Sequence, residues 1–142
     1  MNKIMLIIAL MLSFGVQASS ESKPFAEKHV VLQITDPDPQ KQTLVLNVAN
    51  NLIKHYGQDK VDIEIVAFGP GLRLLLKKNK NVARIDGLVN NGVQFSACQN
   101  TIKGMTKKLG HAPEINPSAV HVSAGVVRII DLVAQGYQLI RP

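Results

Sequence analysis

The chain has 142 residues, 46% of them hydrophobic but only 4% aromatic, no tryptophan, and a formal net charge of +6. This length suits one domain with an aliphatic core. The lysines are scattered, with no dense basic tract interleaved with aromatics, which argues against nucleic-acid recognition, and a single cysteine rules out an internal disulfide framework.

The N-terminus reads as an export signal. Lys3 gives a short positive region, Ile4 to Leu12 is apolar but too short to span a bilayer comfortably, and Val16-Gln17-Ala18 offers small or apolar residues to a signal peptidase. Cleavage after Ala18 would leave a periplasmic or secreted protein of charge +5, once Lys3 is gone. No cysteine follows the cut, which argues against a lipid anchor. An uncleaved leader acting as a membrane anchor is the alternative. No later stretch is long and apolar enough to span, so no membrane contact is expected after cleavage. Residues 1–18 are therefore assigned to the signal peptide, 19–28 to a flexible mature N-terminus, and 29–142 to a single domain.

His29 to Thr35 is β-branched and mostly apolar, a buried strand. Asp38 is a good N-cap with Pro39 at the first helical position. Leu44, Val45, Val48, Ala49, Leu52 and Ile53 then recur at helical spacing, and Gly57 is the stop. Val61 to Phe68 forms a second strand, broken by Gly69-Pro70-Gly71. A short helix is predicted over Leu72 to Lys78. Val82, Ile85, Leu88 and Val89 give another helical stripe, ending at Gly92. Val93 to Ala97 is the third strand, and Gln99 to Leu109 a helix closed by Gly110. A proline-containing loop leads to a short strand at Ala119 to Val122. Ser123 is placed to cap a helix carrying Val126, Val127, Ile129, Ile130 and Val133, and Tyr137 to Ile140 is the last strand. Apolar strands alternating with amphipathic helices predict an α/β fold, a three-layer α/β/α sandwich around a mainly parallel five-stranded sheet.

Cys98 stands where the third strand meets its helix. Unpaired backbone N–H groups and the positive end of a helix dipole favour thiolate, the nucleophilic form. A lone thiol in an oxidising compartment is either inert through burial or kept for chemistry, and position alone leaves both open.

The segment Gly92-Val-Gln-Phe-Ser-Ala-Cys-Gln-Asn-Thr101, the later Ser123-Ala-Gly-Val-Val and the ending Gln135-Gly-Tyr-Gln-Leu-Ile-Arg-Pro142 resemble the DsrE/DsrF-like family in its exported branch, and Phe68-Gly-Pro-Gly71 also fits. The resemblance spans essentially the whole mature chain. It implies a compact, flavodoxin-like α/β/α sandwich that assembles as homo-oligomers, trimers or hexamers. Some members relay sulfur as a cysteine persulfide, and Cys98 falls at the position of their relay cysteine. The relay reading implies donor and acceptor partner proteins and leaves open whether the chain is a sulfurtransferase or only a carrier.

Around Cys98, Asn100 and Thr101 either touch a sulfur species or anion at the helix N-terminus or only satisfy local backbone groups. Gly69 and Gly71 either cradle an anion or form a plain tight turn. Ser123 and Gly125 either wall the same crevice or serve as a cap and a close helix–sheet contact. His29, His55, His111 and His121 have no metal-ligand spacing, and neither metal nor cofactor is expected. His121 is expected in the core or an interface, and His111 in a loop near the crevice. Asp62 and Glu64 alternate on one strand face and are expected to be solvated. Arg73, Lys77 and Lys78 form a basic cluster, either attracting an anion or simply solvated. The leucines Leu72 and Leu74 to Leu76 exceed what one sheet contact covers, which points to an assembly surface. Three functions fit: a sulfur relay on Cys98, a non-catalytic oligomeric module binding a small anion or a protein, and a redox-responsive thiol protein.

Overall fold

The computed structural model describes residues 23–142, so the expected signal segment 1–18 lies outside the described residues. Five strands, β1 (Lys28–Ile34), β2 (Val61–Ala67), β3 (Gln94–Cys98), β4 (Val120–Val122) and β5 (Gln138–Ile140), form one sheet in the order β4-β3-β2-β1-β5. Every pairing is parallel. The crossovers carry α1 (Pro39–Tyr56), a 3-10 helix (Gly69–Leu75) with α2 (Val82–Asn90), α3 (Gln99–Leu109) and α4 (Gly125–Ala134). The expected α/β architecture is present.

Local chemistry sets the element ends. The Asp38 carboxylate accepts the Gln40 N–H at 2.8 Å with Pro39 behind it, and Gly57 ends α1 at φ 91°. The segment after β2 departs from the expected helix over Leu72 to Lys78. It is a 3-10 helix that begins three residues earlier, at Gly69, and it folds back against the end of β1. A Cβ on Gly71 would lie 2.7 Å from the Thr35 Cα and closer still to the Ile34 carbonyl, so only glycine permits this approach. Leu72, Leu74 and Leu75 are fully buried by the fold. They are core, and the assembly surface expected from them is not there.

The first three crossovers step from β1 towards β4 and lay α1, the 3-10 helix, α2 and α3 on one face. The fourth returns across the sheet from β4 to β5, so α4 lies on the other. The first face closes over one large aliphatic cluster that includes Leu32, Leu46, Ile63, Leu74 and Phe95. Among the described residues the second is covered by α4, whose Ile129 and Leu132 pack with Tyr137 on Val31 and Val66. Of the stretch expected to be flexible, Lys23 to Lys28 is tied down: the Lys23 ammonium donates to the carbonyls of Gln58, Val61 and Asn91, and the Glu27 and Lys28 N–H groups donate to the Lys60 carbonyl.

Candidate functional site

Neighbouring β3 and β4 send their following helices to opposite faces of the sheet. That is the switch point at which open α/β sheets form a crevice beyond the carboxyl ends of their strands. Cys98 is the last residue of β3, paired in register with Val122 of β4. It is also the N-cap of α3, so its sulfur stands where a serine or aspartate oxygen would cap an ordinary helix. It makes no capping hydrogen bond of that tight kind. A looser ring of donors faces it instead.

Two effects compete on the thiol. Burial, the larger single influence, pushes its pKa up. The Thr101 hydroxyl and the N–H groups of Thr101, Gly125 and Asn100 pull it down, and together they win, so the pKa lies below that of an ordinary thiol. These donors come from the first turns of α3 and α4, whose positive ends converge on the sulfur from both faces. Cys98 is nevertheless only 4% exposed.

The other predicted residues divide. Thr101 is at the centre: besides facing the sulfur, its Oγ1 accepts the Gly69 N–H at 2.9 Å. Asn100 contributes its backbone N–H, which also reaches the Ser123 carbonyl at 3.3 Å, while its side chain is exposed. Gly69, at φ 56°, starts the 3-10 helix and meets the site through Thr101. Gly71 is not among the sulfur's hydrogen-bond partners and serves the fold through its close approach to Ile34 and Thr35. Ser123 does not cap α4: the N-cap is Ala124 and no side chain bonds there, because the hydroxyl falls one residue too early and remains exposed. Ser123 contributes only its carbonyl. Gly125 is needed twice. A Cβ there would come within 2.8 Å of the Phe68 ring, so glycine lets the start of α4 approach closely enough for its N–H to face the thiol.

His111 and His121 are exposed, and neither is a partner of the sulfur. The Nδ1 of His121, expected in the core or an interface, lies 3.2 Å from the Gln99 amide at the exposed sheet edge. Among the described residues no group of three or more His, Cys, Asp or Glu side chains could hold a metal ion.

Asp62 and Glu64 are buried rather than solvated. Both point to the α4 face, since they alternate with the core residues of β2. The Arg128 guanidinium grips Glu64 bidentately at 2.8 and 2.7 Å, and the Ser96 hydroxyl donates to the same carboxylate at 2.6 Å. The Tyr137 hydroxyl donates to Asp62 at 2.6 Å, and burial followed by that bond pushes the phenol's pKa well up. Two acidic residues alternating in an otherwise apolar strand were the available signal. Their partners lie 32 to 75 residues away, and nothing local marks them.

Beside the thiol, on the α3 side, a cavity of about 400 Å³ opens between the 3-10 helix and α3, with Gly69, Pro70 and Thr101 on its inner wall.

Residues 28–142 match the DsrE/DsrF-like family. The chain belongs to that family. Among solved structures, a protein of unknown function from Methanobacterium thermoautotrophicum, MTH1491, is similar at 27% identity and a TM-score of 0.74, over 82% of this chain and 100% of that one. No curated protein matches the chain. The neighbour, itself of unknown function, supports the parallel α/β fold.

Proposed function

We propose that this protein is a sulfur relay in which Cys98, as a thiolate, accepts a sulfane sulfur and passes it on. The observation that carries the reading is the ring of donors from two helix N-termini around the only thiol in the chain. Such a ring stabilises a sulfur anion, and the terminal sulfur of a persulfide is one. The transfer is balanced without an external oxidant. The Cys98 thiolate attacks the outer sulfur of a donor persulfide, R–S–SH. The donor's S–S bond breaks, a new one forms to Cys98, the proton stays on the transferred sulfur, and R–S⁻ leaves. With no second cysteine in the chain, nothing internal discharges the product.

Cys98 is buried, so transfer requires a local opening at the sulfur. The relay works after export, once residues 1–18 are removed, and meets its sulfur donor and its acceptor protein at the carboxyl edge of the sheet. It assembles as a homo-oligomer through the outer side of α4, where Val126 is 54% and Ile130 62% exposed.

The burial of Cys98 favours a second reading, an oligomeric binding module in which the thiol is structural. Intact-mass spectrometry of native protein after incubation with polysulfide separates the two. The relay requires mass gains of whole sulfur atoms located to Cys98 and absent from Cys98→Ser. An unmodified thiol, or equal loading of the variant, selects the binding module.

A further inference from the structure

The cavity beside Cys98 has an owner problem. Gly104 lies in the middle of α3, where glycine is among the poorest helix formers. A Cβ there would meet nothing within 4 Å, so no packing contact in the chain requires its absence. Its φ is not positive either. The space that the missing side chain leaves is the cavity itself, of which Gly104 is part of the lining.

The chemistry of the walls narrows what that space could hold. Arg73 and Lys108 stand at opposite elements of the rim, no carboxylate lines the cavity, and among the described residues neither cation is engaged in an ion pair. Met105 and Leu109 give one side an apolar, sulfur-tolerant surface. At about 400 Å³ the cavity falls within the range of small organic ligands and is far larger than a bare sulfite or thiosulfate ion needs. Its inner wall is Thr101, whose hydroxyl also faces the Cys98 sulfur.

We propose that this cavity binds a small organic thiol or persulfide carrying carboxylates, with Arg73 and Lys108 holding the carboxylates, Met105 and Leu109 the apolar part, and the sulfur directed towards Thr101. Gly104 keeps the site open. The identification of the ligand as a sulfur compound rests on the relay reading. The anion-binding cavity does not. In the relay, the bound persulfide gives its outer sulfur to Cys98 by the exchange written above and leaves the cavity as the thiolate.

The test uses S-methylglutathione, a tripeptide thioether with two carboxylates that cannot give up its sulfur, titrated into the full protein and followed by amide NMR shifts. The expected result is saturable shifts at Gly69, Thr101 and Gly104. Affinity should fall about tenfold or more in Gly104→Leu and in the Arg73→Gln/Lys108→Gln pair. Gly104→Ala should melt higher than wild type, since it improves α3, yet bind more weakly. That opposition separates a reserved ligand site from a merely tolerated glycine. Absence of shifts at millimolar probe, or unchanged affinity in the filled and charge-stripped variants, overturns the proposal. If polysulfide loads Cys98 while the probe does not bind, the cavity assignment fails and the relay stands. If the probe binds but Cys98 never loads, the relay fails and the cavity remains an anion site.

Discussion

The two faces of the sheet solve the same problem differently. Under α1, α2, α3 and the 3-10 helix the central strands present aliphatic and aromatic side chains such as Leu32, Ile63 and Phe95, and they close into one cluster. Under α4 it presents Val31 and Val66 flanked by Asp62, Glu64 and Ser96, with Arg128 and Tyr137 reaching down from above. The first arrangement holds the fold by area removed from water. The second contributes less net stability, because each buried charge must recover its lost hydration. What it gives instead is position. Arg128 lies one turn after Gly125 on α4, so its bidentate grip on Glu64 fixes the helix whose first N–H faces the Cys98 thiol.

That contrast can be broken from either side. On the aliphatic face, Phe95→Ala should cost about 3–5 kcal/mol in denaturant unfolding, the loss expected for a fully buried ring, with little effect on the thiol beyond the fold. On the polar face, Arg128→Met alone should cost about 3 kcal/mol, because it strands the buried Glu64 carboxylate. The double variant Arg128→Met/Glu64→Leu should recover most of that stability. Its thiol should titrate higher than wild type, since α4 is no longer pinned. A double variant as unstable as the single one would mean that the pair holds the fold after all. Gly125→Ala should cost about 1–3 kcal/mol through collision with Phe68 and should also raise the thiol pKa. At the small end, Val126→Ser with Ile130→Ser should change monomer stability by no more than about 0.5 kcal/mol per site while lowering the mass seen by analytical ultracentrifugation. A wild-type protein that already sediments as a monomer would remove the oligomer from the account.

The same contrast explains what could be read from the sequence. The aliphatic face was legible because burial on both sides of a parallel strand writes itself as apolar runs such as Val30 to Leu32 and Ile65 to Ala67, and because Asp38-Pro39 and Gly57 are local signals. Cys98 and Thr101 were legible because they share one strand–helix junction. The polar face was not. Pairings such as Glu64 with Arg128 depend on which strands become neighbours, and that order is decided by the return crossover of α4 and by no short motif. The leucines after β2 misled for a related reason. They pack as a tight 3-10 turn against the end of β1, a contact that exists only because Gly71 lets the two backbones meet.

The most direct test of the thiolate at the centre of this account is the pH dependence of Cys98 alkylation in native protein, followed by intact mass. A thiol whose folded pKa lies below its unfolded value adds stability that is complete above the unfolded pKa and is lost as the pH falls through the folded one. The rate should therefore reach half its maximum below the pH found for a free cysteine. Thr101→Val, which removes the hydroxyl facing the sulfur, should move that midpoint up, and the stability of wild type over Cys98→Ala should grow with pH across the same window. A midpoint at or above that of free cysteine, or a thiol that reacts only after unfolding, would contradict the account and leave Cys98 as part of the core.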